Sequence, residues 1–507
     1  MAVADRRAAE GGVPVEDLMY VAGRSVAYVV RERFPDAKEV LVLCGPGNNG
    51  GDGYVAAQEL SSDRSVTVLE VTSSPGTPAA RWARDNLLKA GVTPQPLVFE
   101  VVARWLVAAD PDEAVVVDAL LGCGLRRPLD GVLLGVVRML NAEDVPVVSV
   151  DVPTGVDADR PVPPGEHLRA DMTVQLAGPK VASAFHPARA AFAGARPGRP
   201  GGIFVAEIGI PAEVLDEVSS TLWLEADDVA AWLPARQPDA HKYTVGTVTV
   251  VGGSPRYLGA AELVCRGAWR AGAGLVTLVS AERYPGAWPE TIVVPPAQGG
   301  AWPPEGLSTK AADAVVVGPG LDPTDPAAAE LLGAVVDWAP ERLVLDAGAL
   351  APQVITPNLA ALHRLGERGV EVVVTPHHGE AARFLASLDV EVDVRDDPLG
   401  AAMRLALATA AVVVLKGATT VVAASDGREA VSTAGHPGMA SGGTGDVLAG
   451  VVGALLAAPG GDAFERACAA VMLHGMAGER AAQAKGVGLV ASDVAEAVAA
   501  VRAELRP

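Results

Sequence analysis

Short apolar runs rich in β-branched residues alternate with alanine-, leucine- and glutamate-rich stretches along the chain. One series of runs comprises VLVLC, VTVLEV, AVVVDAL, VPVVSVDV, MTVQLA and IFVAEIGI, and a second extends from GTVTVVGGS to TTVVAAS. Apolar runs of about four to eight residues indicate buried strands. Their alternation with helical patterns indicates parallel sheets with helices on both faces. We therefore predict an α/β fold with mostly parallel sheets.

The two series are separated by the stretch GIPAEVLDEVSSTLWLEADDVAAWLP. At 507 residues the chain exceeds the size at which a single hydrophobic core keeps growing, so two domains are expected. We place the boundary near residues 211 to 223. The predicted domains cover residues 1–215 and 222–507, which are ordinary domain sizes.

Charge and cysteine content narrow the possible partners and location. The chain has 61 acidic and 40 basic residues, so its net charge of -21 repels nucleic acid and anionic membranes, and neither is expected as a partner. Cys44, Cys123, Cys265 and Cys468 are far apart, which indicates reduced thiols rather than disulfides or a zinc site. The opening residues MAVADRRAAEGG lack a signal-peptide core, and the apolar run VLAGVVGALLAA is too short to span a bilayer. We expect a cytoplasmic protein.

The glycine-rich segment after the first strand, GPGNNGGDG, allows two interpretations. Gly45, Gly47 and Gly50 have the spacing of a dinucleotide-binding loop, and Glu70 ends the next strand about where such folds place a ribose-binding acid. Against this, Asp52 puts a carboxylate near the start of the following helix, where the pyrophosphate would bind.

The same segment contains several side-chain oxygens. Asn48, Asn49 and Asp52 lie within one turn and suit a hydroxyl-rich ligand or a hard cation, although Asp52 alone could cap the helix YVAAQEL. Two later strands also end in polar groups, with Asp118 in VVVDALLGCGL and Asp151 in VVSVDVPTGVD. Because carboxyl ends of parallel strands share one edge, we expect these groups to converge, although either aspartate alone could cap a turn.

The second series contains a glycine-rich helix start, GHPGMASGGTGDVLAGVVGALLAA. Gly442, Gly443 and Gly445 leave backbone N–H groups free at a helix N-terminus, which is an anion-binding arrangement, and Asp446 follows at once. Donors beside a carboxylate suit phosphoryl transfer, in which the carboxylate takes the proton of the attacking hydroxyl. The alternative is a turn in which Asp446 caps the helix.

Two further strand ends in this series carry polar groups. Lys416 in VVVLKGATT suits phosphate binding, and VVVTPHHGE presents His377, His378 and Glu380. Zinc binding by these three is disfavoured, because adjacent side chains at a strand end point apart and no further ligand is suitably spaced.

The motifs GPGNNGGDG, VDALLGCGL and VDVPTGVD, in this order, resemble the N-terminal epimerase domain of the bifunctional NAD(P)H-hydrate repair enzymes, from DLMYVAG to EIGIP. The resemblance implies a Rossmann-like three-layer αβα domain in which Asp151 is the catalytic acid/base. It implies a potassium ion held by Asn49, Asp118 and Thr154, the last in place of a common serine. Arg126 lies near a lysine of some relatives. The hydrate contacts that it implies, besides Asp151, are Asn48, Asn49, Gly50, Gly51, Asp52, Gly122, Cys123, Gly124, Leu125, Arg126, Arg127 and Pro128.

The motifs VVVGPGL, VVVTPHHGE, LKGATT and GGTGD resemble the ADP- or ATP-dependent NAD(P)H-hydrate dehydratase domain, a ribokinase-like α/β domain, from about Asp227 onward. The resemblance implies ADP as phosphoryl donor, Mg²⁺ to screen its phosphates, and Asp446 as the catalytic base. The implied hydrate contacts are Ala260, Gly320, His377 and Asp446; the implied nucleotide contacts are Lys416, Gly417, Ala418, Thr419, Thr420 and Gly445. Departures from the usual family residues occur at Tyr243, Gly348, His378 and His436.

Together the two resemblances imply a repair enzyme for hydrated NADH and NADPH (NADHX and NADPHX). The first domain would exchange the R and S hydrates, and the second would dehydrate the S form with ADP to give NAD(P)H, AMP and phosphate. We also expect a homo-oligomer. Two alternatives stay open: a ribokinase-like kinase for a vitamin or small alcohol, which would give a stable phosphorylated product, and an N-terminal domain that binds without catalysing.

Overall fold

The computed structural model describes residues 2–194, 201–219, 221–280, 285–296, 302–305, 307 and 312–505. The chain forms two compact units, residues 1–219 and 220–507. Both units are α/β with sheets that are largely parallel, so the predicted fold class is confirmed.

The N-terminal unit is built on a seven-stranded sheet in the order β3-β2-β1-β4-β5-β6-β7, and all of its strand pairs are parallel. Its strands are β1 (Glu39–Cys44), β2 (Ser65–Glu70), β3 (Gln95–Pro96), β4 (Ala114–Ala119), β5 (Val147–Val150), β6 (Met172–Leu176) and β7 (Gly202–Ala206). Its helices are α1 (Ala2–Glu10), α2 (Val15–Arg33), α3 (Asn48–Leu60), α4 (Pro78–Lys89), α5 (Phe99–Ala108), α6 (Gly131–Ala142), α7 (Val181–Ala184), α8 (Arg189–Phe192) and α9 (Ala212–Val218).

Successive side chains of β1 pack into the hydrophobic cores on opposite faces of the sheet, because strand residues alternate between the two faces. Val40 and Val42 pack with apolar residues of α2, α3 and α4, whereas Leu41 and Leu43 pack with those of α5 and α6. This gives the three-layer αβα arrangement. Strands β1, β4, β5 and β6 are neighbours, so the segments that follow them lie along one edge.

The C-terminal unit contains a ten-stranded sheet in the order β11-β10-β9-β12-β13-β14-β15-β16-β17-β8. The pairs β15–β16 and β16–β17 are antiparallel, so the strand predicted from TTVVAAS runs against its neighbours. The strands are β8 (Thr221–Trp223), β9 (Thr247–Val251), β10 (Leu275–Val279), β11 (Ile292–Val294), β12 (Ala314–Val317), β13 (Arg342–Leu345), β14 (Glu371–Val374), β15 (Val412–Leu415), β16 (Thr420–Ala423) and β17 (Glu429–Ser432).

The helices of this unit cover the sheet and bury the most apolar segment of the chain. They are α10 (Ala226–Trp232), α11 (Leu258–Ala271), α12 (Pro326–Trp338), α13 (Pro352–Ile355), α14 (Leu359–Glu367), α15 (His378–Ser387), α16 (Pro398–Thr409), α17 (Thr444–Ala457), α18 (Ala463–Lys485) and α19 (Ala491–Leu505). Every residue of α17 from Val447 to Ala457 is buried in the core. No helix among the described residues is long and apolar enough to cross a membrane.

Glycines bring α11 and α17 unusually close together. A Cβ atom on Gly267 would lie 2.3 Å from the Val447 carbonyl oxygen, and one on Gly450 would lie 2.0 Å from that of Val264. Separations below about 3 Å exclude a side chain, so only glycine permits this helix contact. The contact fixes the first half of α17 against the middle and second half of α11.

Candidate active sites

The asparagine-rich segment after β1 is helical rather than a loop. Helix α3 begins at Asn48 with Gly47 as its N-cap, so Asp52 is the fifth helical residue and does not cap the helix. The glycines serve close packing: a Cβ on Gly50 would lie 2.0 Å from the Gly45 carbonyl oxygen. A glycine-rich sequence normally indicates a loop, which explains why the predicted helix start was too late.

Glu70 does not have the free carboxylate that a ribose-binding acid needs. Arg84 donates to both of its oxygens, with Nε–Oε2 at 2.7 Å and Nη2–Oε1 at 2.8 Å. The Tyr54 hydroxyl donates to Oε2 at 2.9 Å, and Glu70 is buried. The ribose-binding role suggested by its position at the end of β2 is therefore wrong.

Asp118, near the end of β4, is completely buried and lies against Thr154. Its carboxylate accepts from the Thr154 hydroxyl at 2.7 Å, the Thr154 N–H at 2.9 Å and the Ser149 hydroxyl at 2.9 Å. The Leu120 N–H donates at 3.3 Å. Burial raises the pKa of Asp118, and these hydrogen bonds counteract the shift. The structure thus joins two of the three residues predicted to hold potassium.

Asn49 reaches the same turn. A Cβ on Gly122 would lie 3.1 Å from Asn49 Oδ1, and the Leu121 N–H donates to Thr154 Oγ1 at 3.1 Å. The Asn49 Nδ2 group is buried and has no hydrogen-bond partner in the described structure. Carboxylate, amide and hydroxyl oxygens at one turn are the donors that a hard cation prefers, so Asn49, Asp118 and Thr154 fit a potassium ion.

Asp151 follows β5 and is held by donors from three directions. Its Oδ1 accepts from the Leu176 N–H at 3.1 Å and lies 2.8 Å from Lys180 Nζ, while the Cys123 thiol donates to Oδ2 at 2.8 Å. Its φ of 64° is in the left-handed region, which aspartate tolerates better than most residues. A buried acid with a backbone conformation of this kind is typical of a functional site.

Lys180 was missed by the sequence reasoning. It is 8% exposed, and besides Asp151 its ammonium donates to the Leu176 and Gly178 carbonyl oxygens, both at 2.8 Å. Its position could have indicated a role, because Lys180 lies shortly after the end of β6, whereas Asp151 lies directly after the end of β5. The cation beside the acid is thus Lys180, whereas Arg126 is exposed and pairs with Asp159 at 3.2 Å.

The remaining predicted hydrate contacts lie at two depths. Asp52 is buried, and its pKa is raised well above its usual range by burial and by the charges of Asp151 and Asp5. Asn48 is half-buried and accepts from the Thr77 hydroxyl at 2.5 Å. The segment that follows the buried turn runs outward: Gly122, Cys123 and Leu125 are half-buried, and Gly124, Arg126, Arg127 and Pro128 are exposed.

In the C-terminal unit, Gly443 is the N-cap of α17 with φ 96°, a left-handed conformation that favours glycine. A Cβ there would lie 2.5 Å from Leu263 Cδ1, so the helix start is also packed against α11. Asp446 is the third residue of the helix and makes no capping hydrogen bond. The interpretation of Asp446 as the N-cap is therefore wrong, and the first turn combines free N–H groups with a carboxylate.

Lys416 connects this helix start to the end of β13. Its ammonium lies 2.6 Å from Asp346 Oδ1, and a Cβ on Gly445 would lie 3.3 Å from Lys416 Nζ. Burial raises the pKa of Asp446 to about 7, the charge of Asp346 acts in the same direction, and Lys416 opposes it. Asp346 is 1% exposed and was also missed, although it stands at a strand end like Asp118.

His377 is the N-cap of α15 and adjoins Lys416 through an isolated parallel bridge. Its Nδ1 accepts from the Gly379 N–H at 2.9 Å, so in the neutral ring the proton is on Nε2. Glu380 completes a capping box by accepting the His377 N–H at 2.8 Å. In the part of the chain that the structure describes, no three His, Cys, Asp or Glu side chains gather as potential metal ligands.

Ala260 and Gly320 lie where two loops touch. The Gly253 N–H donates to the Pro319 carbonyl oxygen at 2.9 Å. Gly320 has a φ of 75°, and a Cβ atom on it would lie 2.6 Å from the Tyr257 carbonyl oxygen. Ala260 is in the first turn of α11, one turn before the residue that contacts Gly443. Ala260 follows β9 and Gly320 follows β12, so both lie at the edge of the sheet where Asp346 follows β13.

Three departures from the usual family residues have a structural account. A Cβ on Gly348 would lie 2.5 Å from the Leu321 carbonyl oxygen, so a larger residue requires the backbone to move. His436 caps the short turn Pro437–Met439 by accepting the Gly438 N–H on Nδ1 at 3.0 Å, as an asparagine side chain would. A Cβ atom on Gly417 would lie 2.9 Å from His378 Cε1, so the His378 ring lies beside the turn that follows Lys416. Tyr243 is exposed, and nothing in the structure explains why it stands in place of the usual family residue.

Each unit therefore presents a buried acid paired with a lysine at the carboxyl edge of its sheet, and the second adds a glycine-rich helix start with free backbone N–H groups. This combination defines a two-domain α/β enzyme with one reaction site per unit.

Comparison with known sequences gives the family. Residues 15–182 match the family described as YjeF-related protein N-terminus, and residues 248–500 match the NAD(P)H-hydrate dehydratase family. The bifunctional NAD(P)H-hydrate repair enzyme Nnr of Thermofilum pendens is 38% identical over 95% of this chain and 91% of its own length. That of Escherichia coli is 33% identical over 95% and 88%. The chain belongs to the family of bifunctional NAD(P)H-hydrate repair enzymes.

A solved structure also matches part of the chain. The ADP/ATP-dependent NAD(P)H-hydrate dehydratase from Bacillus subtilis, co-crystallised with ATP and Mg²⁺, is 25% identical, with a TM-score of 0.47, and the match covers 57% of this chain and 100% of that one.

Proposed function

We propose that this protein repairs hydrated NADH and NADPH, with the N-terminal unit exchanging the R and S hydrates and the C-terminal unit dehydrating the S form with ADP. The observation that carries the proposal is a pair of acids beside lysines, buried Asp151 with Lys180 and half-buried Asp446 near Lys416, in a chain of this family. One acid suits proton exchange alone, and the other stands where a phosphate can bind.

The first reaction needs a group that moves a proton to and from one oxygen. The hydrate carries a hydroxyl on C6, next to the ring nitrogen, whose electron pair can expel it. Asp151 in its acid form gives a proton to the departing oxygen, so water leaves, and the carboxylate takes a proton back when water adds to either face. Lys180 offsets the charge of the carboxylate between these steps.

The second reaction needs a better leaving group than hydroxide. Asp446 takes the proton of the C6 hydroxyl, whose oxygen forms a bond to the β-phosphorus of ADP while the bond to the α-phosphate oxygen breaks, which releases AMP. The ring nitrogen then expels phosphate, the departing phosphate takes a proton from C5, and the C5–C6 double bond of NAD(P)H forms. Donors at Gly445 and the Lys416 to Thr420 turn would hold the phosphates.

Two ions complete the proposal. A potassium ion at Asn49, Asp118 and Thr154 would orient the segment Leu120–Gly122 and the hydrate beside it. Mg²⁺ takes most of its ligands from water and phosphate and would offset the charge of ADP. The acid available to it is Asp346, whose carboxylate pairs with Lys416.

The products distinguish this proposal from a small-molecule kinase. Incubation of the S hydrate with ADP and Mg²⁺ should give reduced cofactor, AMP and phosphate in equal amounts. A phosphorylated product that persists would support the kinase alternative instead. We also propose a cytoplasmic homo-oligomer, which size-exclusion chromatography with light scattering and cell fractionation would test.

Lys180→Met should slow R-to-S exchange by about tenfold or more, because Asp151 loses the cation that offsets its charge as it ionises. Exchange is measured by chromatographic separation of the two hydrates. The matched control is Arg138→Met, which removes an exposed cation paired with Glu166 and outside the predicted hydrate contacts. An equal loss in both variants, or none in Lys180→Met, would contradict the role of Lys180.

The dehydration rate should depend on pH through Asp446. Its pKa is about 7, so below that pH the carboxyl is protonated and cannot accept the hydroxyl proton. We expect kcat/KM for the S hydrate to fall about tenfold per pH unit below this value and to level off above it. Asp346→Asn removes a negative neighbour, so it should move the midpoint to lower pH. A flat profile between pH values one unit either side of about 7 would rule out Asp446 as the base.

A further inference from the structure

One face of α18 packs against the segment 434–444 that leads into the phosphate-binding helix start. The face consists of His474, Gly475, Gly478 and Glu479, which share one side of the helix by their spacing. None of them was singled out by the sequence reasoning.

The two glycines allow the segment to lie directly on the helix. A Cβ on Gly475 would be 2.6 Å from the Ala434 carbonyl oxygen, and one on Gly478 would be 1.9 Å from Met439 Sδ. The Glu479 carboxylate accepts from the Gly435 N–H at 2.9 Å, near the surface. The path of the segment is thus set by α18 along much of its length.

The innermost contact of this face is made by His474 with Thr444. His474 is 8% exposed, and its Nε2 lies 2.9 Å from the Thr444 carbonyl oxygen. Because a carbonyl only accepts, the proton is on Nε2. Burial lowers the pKa of His474 to about 4 and the Lys416 charge acts in the same direction, so the ring is neutral near pH 7.

Thr444 links the segment to the helix. Its hydroxyl lies within hydrogen-bond distance of the Met439 and Ser441 carbonyl oxygens, at 3.0 and 3.2 Å. It directly precedes Gly445, a predicted nucleotide contact, and is two residues before Asp446. A hydrogen bond to the Thr444 carbonyl therefore helps to fix the positions of both the Gly445 N–H, a predicted phosphate donor, and the Asp446 carboxylate, the proposed base.

We propose that His474 is a positioning residue of the dehydratase site: by donating to the Thr444 carbonyl it fixes the first turn of α17, so that the Gly445 N–H and the Asp446 carboxylate face the ADP phosphate and the hydrate together. The inference rests on the proposed dehydration reaction. His474 itself touches neither ligand.

Glutamine and asparagine at position 474 separate this role from general packing. Gln can place an N–H near the position of the imidazole Nε2, whereas Asn is one carbon shorter and cannot reach it. His474→Asn should raise KM for ADP about tenfold and lower kcat as well, because small displacements of catalytic groups are costly. His474→Gln should restore both values to within about threefold of wild type.

Two internal controls come from the same chain: its epimerase activity and its thermal unfolding temperature. Both should be alike in His474→Asn and His474→Gln. Glu479→Gln, which keeps an acceptor for Gly435 at the surface, should leave the ADP kinetics unchanged. The inference is overturned if Asn and Gln at position 474 give the same kinetics for ADP, whether both resemble wild type or both are equally impaired. If wild type itself does not dehydrate the hydrate, the proposed function fails instead.

Discussion

Asp446→Asn is expected to abolish ADP-dependent dehydration and to leave R-to-S exchange at the wild-type rate. The amide has nearly the same shape but cannot take the proton of the C6 hydroxyl, and removal of a general base costs about 10²- to 10⁴-fold in rate. The ion pair of Lys416 with Asp346 stays in place, so the site should keep its structure. Initial rates are followed by the near-ultraviolet absorbance of the reduced nicotinamide ring.

The matched control for Asp446→Asn is Asp426→Asn in the same unit. Asp426 is exposed and pairs with Arg428, away from any predicted ligand contact, and exposed pairs contribute little to stability. This control should dehydrate the S hydrate at the wild-type rate. Dehydration by Asp446→Asn within about twofold of the control would remove Asp446 from the mechanism.

Asp151→Asn has the second largest expected effect. The variant should lose about 10²- to 10⁴-fold in R-to-S exchange, since no other acid contacts both Lys180 and Cys123 in the described structure. Dehydration of pure S hydrate should be unchanged. Asp63→Asn, exposed in the same unit, is the control because it loses only its ion pairs with Arg31 and Arg64, which are not predicted hydrate contacts. Full exchange activity in Asp151→Asn would mean that the N-terminal unit uses another group or only binds.

The fold could be predicted from the sequence because its strands are short apolar runs that recur between helical patterns. The helix start at Asn48 could not, because Gly50 and Gly53 mark close packing there and glycines in sequence look the same in a loop. Only the structure shows the Gly45 oxygen next to Gly50 and the Ala119 side chain next to Gly53.

The positions of polar residues at strand ends indicated Asp118 and Asp151, and the family resemblance added Thr154, which the structure places in direct contact with Asp118. A position at a strand end shows that a residue lies at the edge of the sheet, but it does not show which side chains face each other. For that reason Lys180 and Asp346 were missed, each of which pairs with a charged group far away in sequence. Glu70 shows the reverse error, since its spacing suggested a ribose contact that Arg84 and Tyr54 preclude.

A single chain should perform exchange and dehydration in sequence. The most direct measurement is the final yield of reduced cofactor from a mixture of R and S hydrates with ADP, Mg²⁺ and K⁺, comparing wild type with Asp151→Asn. Wild type should convert the whole mixture at the dehydration rate. Asp151→Asn should convert the S fraction equally fast and then slow to the spontaneous rate of exchange. Complete conversion by both proteins with the same time course would contradict the account.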